Sequence, residues 1–238
     1  KVQVAGPVTF IMTPERLVTV RHHAPRPFET FADRSDKSST GCASVAHIFL
    51  GLVEEIIGRL ADLLEGSGRV LDLVSREAFA GGASKRPKVL EDALQSVGRE
   101  SETLGRVRLG LLTMERAMSF YAQGSGSAAI AAPAKAAVKA LMRDIQALEV
   151  HADFLSSRLA NVTDTTLGLV NLAQNTTVRI LSVVTALFLP PTLIASAYGM
   201  NFRHMPELEW MYGYPMAIGM MVGSAALIFI FLKWKNWL

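Results

Sequence analysis

The sequence predicts a mainly α-helical membrane protein. A long-helix stalk continues into a two-span transmembrane hairpin, and a small strand-containing α/β segment precedes it. Three observations carry that prediction. Residues 180–202 and 211–232 form two stretches without a formal charge, 23 and 22 residues long, each enough for a helix to cross a hydrocarbon core of about 30 Å. Between them only Arg203, His204, Glu207 and Glu209 are ionisable, so the spans form a hairpin with both outer ends on one side. Upstream, apolar residues recur in heptads for longer than an ordinary globular helix sustains.

Composition agrees. Half of the 238 residues are hydrophobic and the mean hydropathy is positive, which the two spans explain. The formal charge is +3, with basic residues scattered and not interleaved with aromatics, so nucleic acid is not an expected partner. A lone Cys42 excludes an internal disulfide and a cysteine-built metal site, and a small buried thiol is expected there. The chain opens on strand-like residues without a Met or a signal peptide, so some N-terminal sequence is expected to be missing.

In order, 8–12 and 17–21 read as strands joined by a turn at Thr13-Pro14-Glu15-Arg16. His22, His23, Pro25 and Pro27 end the hairpin, and the adjacent histidines are expected in an exposed loop. Residues 1–42 are assigned to the end of an N-terminal α/β part, with 35–41 a polar connector. Residues 43–133 should hold two antiparallel helices. The first covers about 43–80, with Gly66-Ser67-Gly68 expected to bend or split it, and ends at Gly81-Gly82. The second covers about 86–121, with Pro87 in its first turn and a break at 123–127.

From Ala134 no breaker is convincing before Pro190. Leu141, Leu148, Leu155, Val162 and Leu169 hold one heptad position; Ile145, Ala152, Leu159, Thr166, Ala173 and Ile180 lie four residues after each of these or the next. Residues 134–198 are therefore one helix, on the order of 100 Å long at 1.5 Å per residue, whose last part, about 178–198, is the first span. Its seam is expected to need copies of itself, flanked by the two preceding helices. A loop at 199–211, a second span at 212–233 and a basic tail at 234–238 complete the chain.

Asn175, Val178, Leu181 or Ser182, Thr185, Leu189, Thr192 and Ser196 recur every three or four residues and share one helix face. That stripe is smaller and more polar than the face carrying Val184, Leu187 and Phe188. Spacing alone leaves two readings open: close packing of helices or a water-filled path. No nucleophile–base pair, phosphate loop or HExxH pattern points to an enzyme.

Tyr198-Gly199-Met200-Asn201-Phe202, then Met205-Pro206-Glu207-Leu208, stand between two terminal spans, and Lys233-Trp234-Lys235-Asn236-Trp237-Leu238 follow the second. In this arrangement the chain resembles the CorA family of divalent-cation channels, the two-span GMN transporters. The close resemblance covers about 175–238. It implies a homopentameric funnel whose first span lines the pore. Pore-facing positions then fall on Asn175, Val178, Leu181, Thr185, Leu189, Thr192, Ser196 and Asn201, with Leu181 and Leu189 as a hydrophobic constriction. Gly199, Met200 and Asn201 would form the selectivity filter. Mg²⁺ holds its waters tightly, and a ring of Asn201 carboxamides can accept hydrogen bonds from those waters without stripping them. Gly199 would allow close backbone approach, and Met200 would pack, thioether being a poor match for so hard a cation. Glu207 and Glu209 would gather cations at the entrance. Pro191, Ser196 and Leu189 depart from the family's commoner residues.

The resemblance also implies gating by intracellular divalent cation bound to acidic side chains, with Asp164 first and Asp144 and Asp153 behind it. No covalent cofactor is expected. Mg²⁺ is the expected cargo and regulator, with Co²⁺ or Ni²⁺ as further cargo, and lipid and further copies of the chain are the expected partners. Lys233, Lys235, Arg158 and Arg179 flank the spans on one side, which places the bulk of the chain and its C-terminus in the cytoplasm of a bacterium or archaeon. A Zn²⁺ transporter of the related branch is disfavoured by Met200. A non-conducting coiled-coil scaffold is disfavoured by the polar stripe.

Overall fold

The computed structural model describes residues 6–35, 42, 44–80, 87–124, 132–200, 205–206 and 210–237. The described residues form β1 (Val8–Met12), β2 (Leu17–Arg21), α1 (Arg26–Arg34), α2 (Val45–Phe79), α3 (Pro87–Gly124), α4 (Ala132–Tyr198) and α5 (Gly213–Trp234). They divide into two compact units, one ending at Leu167 and one beginning at Gly168.

In the first unit β1 and β2 pair antiparallel, Val8 opposite Arg21 and Met12 opposite Leu17. Thr13 closes the turn: its amide donates to the Arg16 carbonyl at 2.9 Å, and its hydroxyl oxygen accepts from the Arg16 amide at 3.0 Å. Alternation along the strands turns Phe10 and Leu17 toward the helices and leaves the cross-strand pair Ile11 and Val18 exposed. Phe10 meets Phe49 edge-on at 5.4 Å. His22 is exposed and His23 is half-buried.

Sequence periodicity does not announce α1, because nine residues are too few to show a repeat. Its signal is Pro27 in the first turn, where a missing amide costs nothing. A Cβ at Gly51 would stand 2.6 Å from Phe31 Cε2, so glycine lets α1 lie close on α2. Glu55 fixes the crossing by accepting from Thr30 at 3.0 Å and Arg34 at 2.7 Å. Cys42, expected to be buried, is exposed. It lies in the connector between α1 and α2, outside any element that could cover it.

Ser44 caps α2, its hydroxyl oxygen accepting from the His47 amide at 3.3 Å. The helix runs unbroken through Gly66-Ser67-Gly68, so these residues do not split it. Packing overrides the weak local propensity: Ser67 is buried, and a Cβ at Gly68 would sit 3.6 Å from Leu155 of α4. Gly81 and Gly82 lie outside the described residues, as does most of the 123–127 break.

Contacts fix the directions of the long helices. Phe49 meets Tyr121 at a tilt, ring centres 5.0 Å apart, Leu60 lies against Gly110, and Val74 packs with Ala93 and Val97. As α2 advances α3 recedes, so the two are antiparallel. Gly68 faces Leu155 and Asp72 pairs with Arg158, so α4 runs parallel to α2.

Leu141, Ile145, Ala152, Leu155, Val162 and Thr166 of the heptad seam are buried. Leu141, Ile145, Ala152 and Leu155 share one core with Leu64, Leu71, Leu104, Val107 and Leu111 of α2 and α3. Between Leu141 and Thr166 the seam is thus largely covered within one chain by the two preceding helices, while Leu169 and Ala173 are half-buried and Ile180 is exposed.

In the second unit α4 continues from Gly168 and α5 follows. Both are long and apolar enough to cross a membrane, and none of the apolar window of α4 is buried. Pro190 and Pro191 lie inside α4. Neither has an N–H, so the carbonyls of Ala186 and Leu187 lack their ordinary intrahelical donors.

Candidate functional site

The candidate site is a face of α4 and the turn that ends it. Asn175, Val178, Leu181, Thr185, Leu189, Thr192 and Ser196 are all exposed. At 3.6 residues per turn they occupy about a third of the helix circumference. The half-buried positions Val183, Leu187, Pro190, Pro191, Ile194 and Tyr198 fall on the opposite side. The small, polar stripe is therefore part of the side of α4 that its own unit leaves uncovered, together with Ile180, Val184, Phe188 and Leu193.

Two hydroxyls on the stripe are oriented by the helix. Thr185 donates to the Leu181 carbonyl at 2.9 Å and Thr192 to the Phe188 carbonyl at 2.7 Å. With their protons committed, both oxygens face outward as acceptors, the polarity a cation or its water shell requires. Leu181, one turn before Thr185, and Leu189, between Thr185 and Thr192, are 67% and 65% exposed and alternate with these acceptors as apolar positions.

At the end of α4 the Gly199 amide donates to the Ala195 carbonyl at 2.9 Å, and the Met200 amide reaches the Ala197 carbonyl at 3.4 Å. The last turn tightens from α to 3₁₀ type. A Cβ at Gly199 would lie 3.1 Å from the Ala195 carbonyl oxygen. Close approach, not a left-handed backbone, is what favours glycine here. Met200 is 49% exposed. Asn201, Glu207 and Glu209 lie outside the described residues.

The three candidate regulatory aspartates are not brought together. Asp144 and Asp164 are exposed on α4, and Asp153 pairs with Arg108 of α3 at 3.1 Å. Among the described residues no group of three or more His, Cys, Asp or Glu side chains could hold a metal ion within one chain. Beside Asp153, Glu149 has one carboxylate oxygen shielded and without a hydrogen-bond partner among the described residues. Burial, then the carboxylates of Glu115 and Asp153, raise its pKa, against the lowering pull of Arg108.

Sequence reasoning missed one position. Arg108 as the partner of Asp153 has no local signal, since the pair joins α3 to α4.

Two long apolar helices, a short connection between them and a helical unit in front define a two-span α-helical membrane protein. Residues 1–234 match the family described as CorA-like Mg2+ transporter protein. The magnesium transport protein CorA of Mannheimia succiniciproducens is 33% identical over 231 residues, 97% of this chain and 71% of that protein. The magnesium transport protein CorA of Escherichia coli is 32% identical over 97% of this chain and 71% of its own length. The complete structure of the CorA magnesium transporter from Methanocaldococcus jannaschii superposes with a TM-score of 0.63 at 18% identity, covering 93% of this chain and 68% of that one. At that identity the superposition speaks for the fold. The chain belongs to the CorA-like Mg²⁺ transporter family, a family of transporters and not of enzymes.

Proposed function

We propose that this chain forms a homopentameric channel that admits Mg²⁺ down its electrochemical gradient, through a pore lined by the exposed stripe of α4. The observation that carries this reading is the opposition of the two faces of α4. A helix that packed its small polar face on its own neighbours would bury it, whereas here that face is open and its threonine oxygens point outward as acceptors. Copies arranged about an axis would turn those acceptors onto a common path. Leu181 and Leu189 would then narrow it and exclude ions by dewetting when closed.

Gly199, Met200 and Asn201 form the outer mouth in this reading. Neutral carboxamides at Asn201 hold a hydrated ion without stripping its waters and release it again. Glu207 and Glu209 raise the local cation concentration, and Co²⁺ and Ni²⁺ are further cargo. Asp164 binds intracellular divalent cation and closes the channel, an arrangement completed by neighbouring copies, since the described residues of one chain do not assemble the ligands. Most of the chain and its C-terminus then lie in the cytoplasm, beneath the inner membrane.

The test is Mg²⁺ uptake into proteoliposomes loaded with a trapped fluorescent indicator, comparing the chain with Asn201→Ala. Uptake that disappears in the variant supports conduction with selection at that mouth. An assembled chain that passes no Mg²⁺ in either form overturns the reading.

A further inference from the structure

We propose that the end of α5 is a docking surface for anionic phospholipid, in which Lys233 and Lys235 meet the headgroups and Asn236 fixes the backbone shape that keeps them there. This requires only that α4 and α5 span the membrane. It is independent of whether the chain conducts.

The end of α5 is capped and not frayed. Asn236, with φ 55°, is the one non-glycine residue in the left-handed region among the described residues, a region that asparagine enters more readily than most side chains. Its amide donates to the Lys233 carbonyl at 3.2 Å, and the Trp237 amide donates to the Leu232 carbonyl at 3.0 Å. These are the two bonds of a Schellman cap. With the Lys235 amide on the Phe231 carbonyl at 3.1 Å, three of the last carbonyls are satisfied where water is scarce. The cap turns Trp237 back toward the last turn, where Leu232 is buried while Trp234 and Trp237 stay exposed.

The charge around this end has one sign. Lys233 lies 20 residues after Gly213, where α5 starts, and Arg179 lies 19 before Tyr198, where α4 ends. Each distance is about 30 Å of helix, the depth of a hydrocarbon core. The two cations, with Lys235 just beyond, therefore mark one edge of the membrane, opposite the connecting loop. All three are exposed, and none has an ion pair among the described residues. No Asp or Glu occurs between Asp164 and Glu207 or after Glu209, so no carboxylate of this unit competes for them at that edge.

Charge complementarity names the occupant. Lysine extends its ammonium from the apolar edge into the headgroup layer, and tryptophan rings settle in the same layer. A zwitterionic headgroup brings its phosphate with a cation already attached. An anionic headgroup carries net negative charge, which exposed lysines at the surface attract. A frayed end would let Lys235 and Trp237 leave that layer, and the left-handed turn at Asn236 holds them in it.

The experiment uses the full chain with Trp210→Phe, so that Trp234 and Trp237 alone fluoresce. It is reconstituted in vesicles of phosphatidylcholine and phosphatidylglycerol, one or the other brominated to quench tryptophan. Brominated phosphatidylglycerol is expected to quench as if enriched about threefold or more over its share of the bilayer. The enrichment should vanish in Lys233→Gln/Lys235→Gln. It should fall by at least half in Asn236→Val, whose branched side chain resists the left-handed region, and persist in Asn236→Gly, which enters it freely. Rescue by glycine is a result that a role for the carboxamide itself would not give. Quenching in simple proportion to lipid share overturns the proposal, as does an enrichment unchanged in the double lysine variant. Relief of quenching by added inorganic phosphate also overturns it, since the ligand would then be a soluble anion. If Asn236→Val does not fold, the lysine variant decides.

Discussion

Arg108 and Asp153 meet at 3.1 Å across the contact between α3 and α4. The pair is more than half exposed on both sides, so it orients the helices more than it stabilises them. It also commits one of the three aspartates considered for cation binding. Asp153→Ala is expected to lower stability by about 0.2–1 kcal/mol, the range of exposed pairs, and to leave inhibition by intracellular Mg²⁺ unchanged. Thermal unfolding and uptake at raised internal Mg²⁺ check the two halves.

Asp164 is the contrasting case, exposed and unpaired among the described residues. Under the proposed regulation, Asp164→Ala should keep Mg²⁺ uptake open at internal concentrations that close the unaltered chain. Inhibition curves that superimpose for the two proteins would remove Asp164 from the gating mechanism.

Glu149 makes stability depend on pH. Its native pKa is raised, chiefly by burial, so the folded state holds the proton more tightly than the unfolded one. Stability from this group is therefore full at low pH. It declines as pH rises from the ordinary Glu value, about 4.3, through the raised native value. Glu149→Gln should remove that decline, giving a melting temperature above that of the unaltered chain at neutral pH and a smaller difference in acid. A difference that stays constant with pH would contradict the assignment.

Ile145 is fully buried in the core shared by α2, α3 and α4. Ile145→Ala should cost about 2–5 kcal/mol by the lost transfer energy and the cavity left behind. Denaturant unfolding monitored by helical circular dichroism measures it, and a loss under about 1 kcal/mol would mean the site collapses freely.

Gly199→Ala would press a methyl group to 3.1 Å from the Ala195 carbonyl oxygen. The last turn of α4 must then give by a few tenths of an ångström, which shifts the residues that follow. Uptake should fall several-fold while assembly on size-exclusion chromatography stays unchanged. Normal uptake would show that the mouth tolerates a Cβ.

Much of this fold is written in local pattern. β1, β2 and their turn follow from alternation and from Thr13, whose side chain and amide both serve the turn. The length of α4 follows from an apolar repeat without a breaker. What the repeat could not reveal is which surface covers it. Leu141, Ile145 and Leu155 need apolar neighbours, and a heptad reads the same whether those come from copies or from α2 and α3. Gly68 misleads for a related reason, since its cost in an isolated helix is offset by packing against Leu155. The stripe from Asn175 to Ser196 was visible in spacing, but its openness was not, because exposure belongs to the folded unit.

The covered seam bears on the order of events when a subunit is made. The α2 and α3 helices and most of the seam emerge from the ribosome before either apolar span, and they already contain the partners they need. Each subunit can complete its helical unit alone, before any sibling chain is near. In the proposed pentamer, assembly would then join finished parts and not be a condition of their folding. Heat unfolding of the helical unit should accordingly vary little with protein concentration, and a strong dependence would show that the copies fold as they meet.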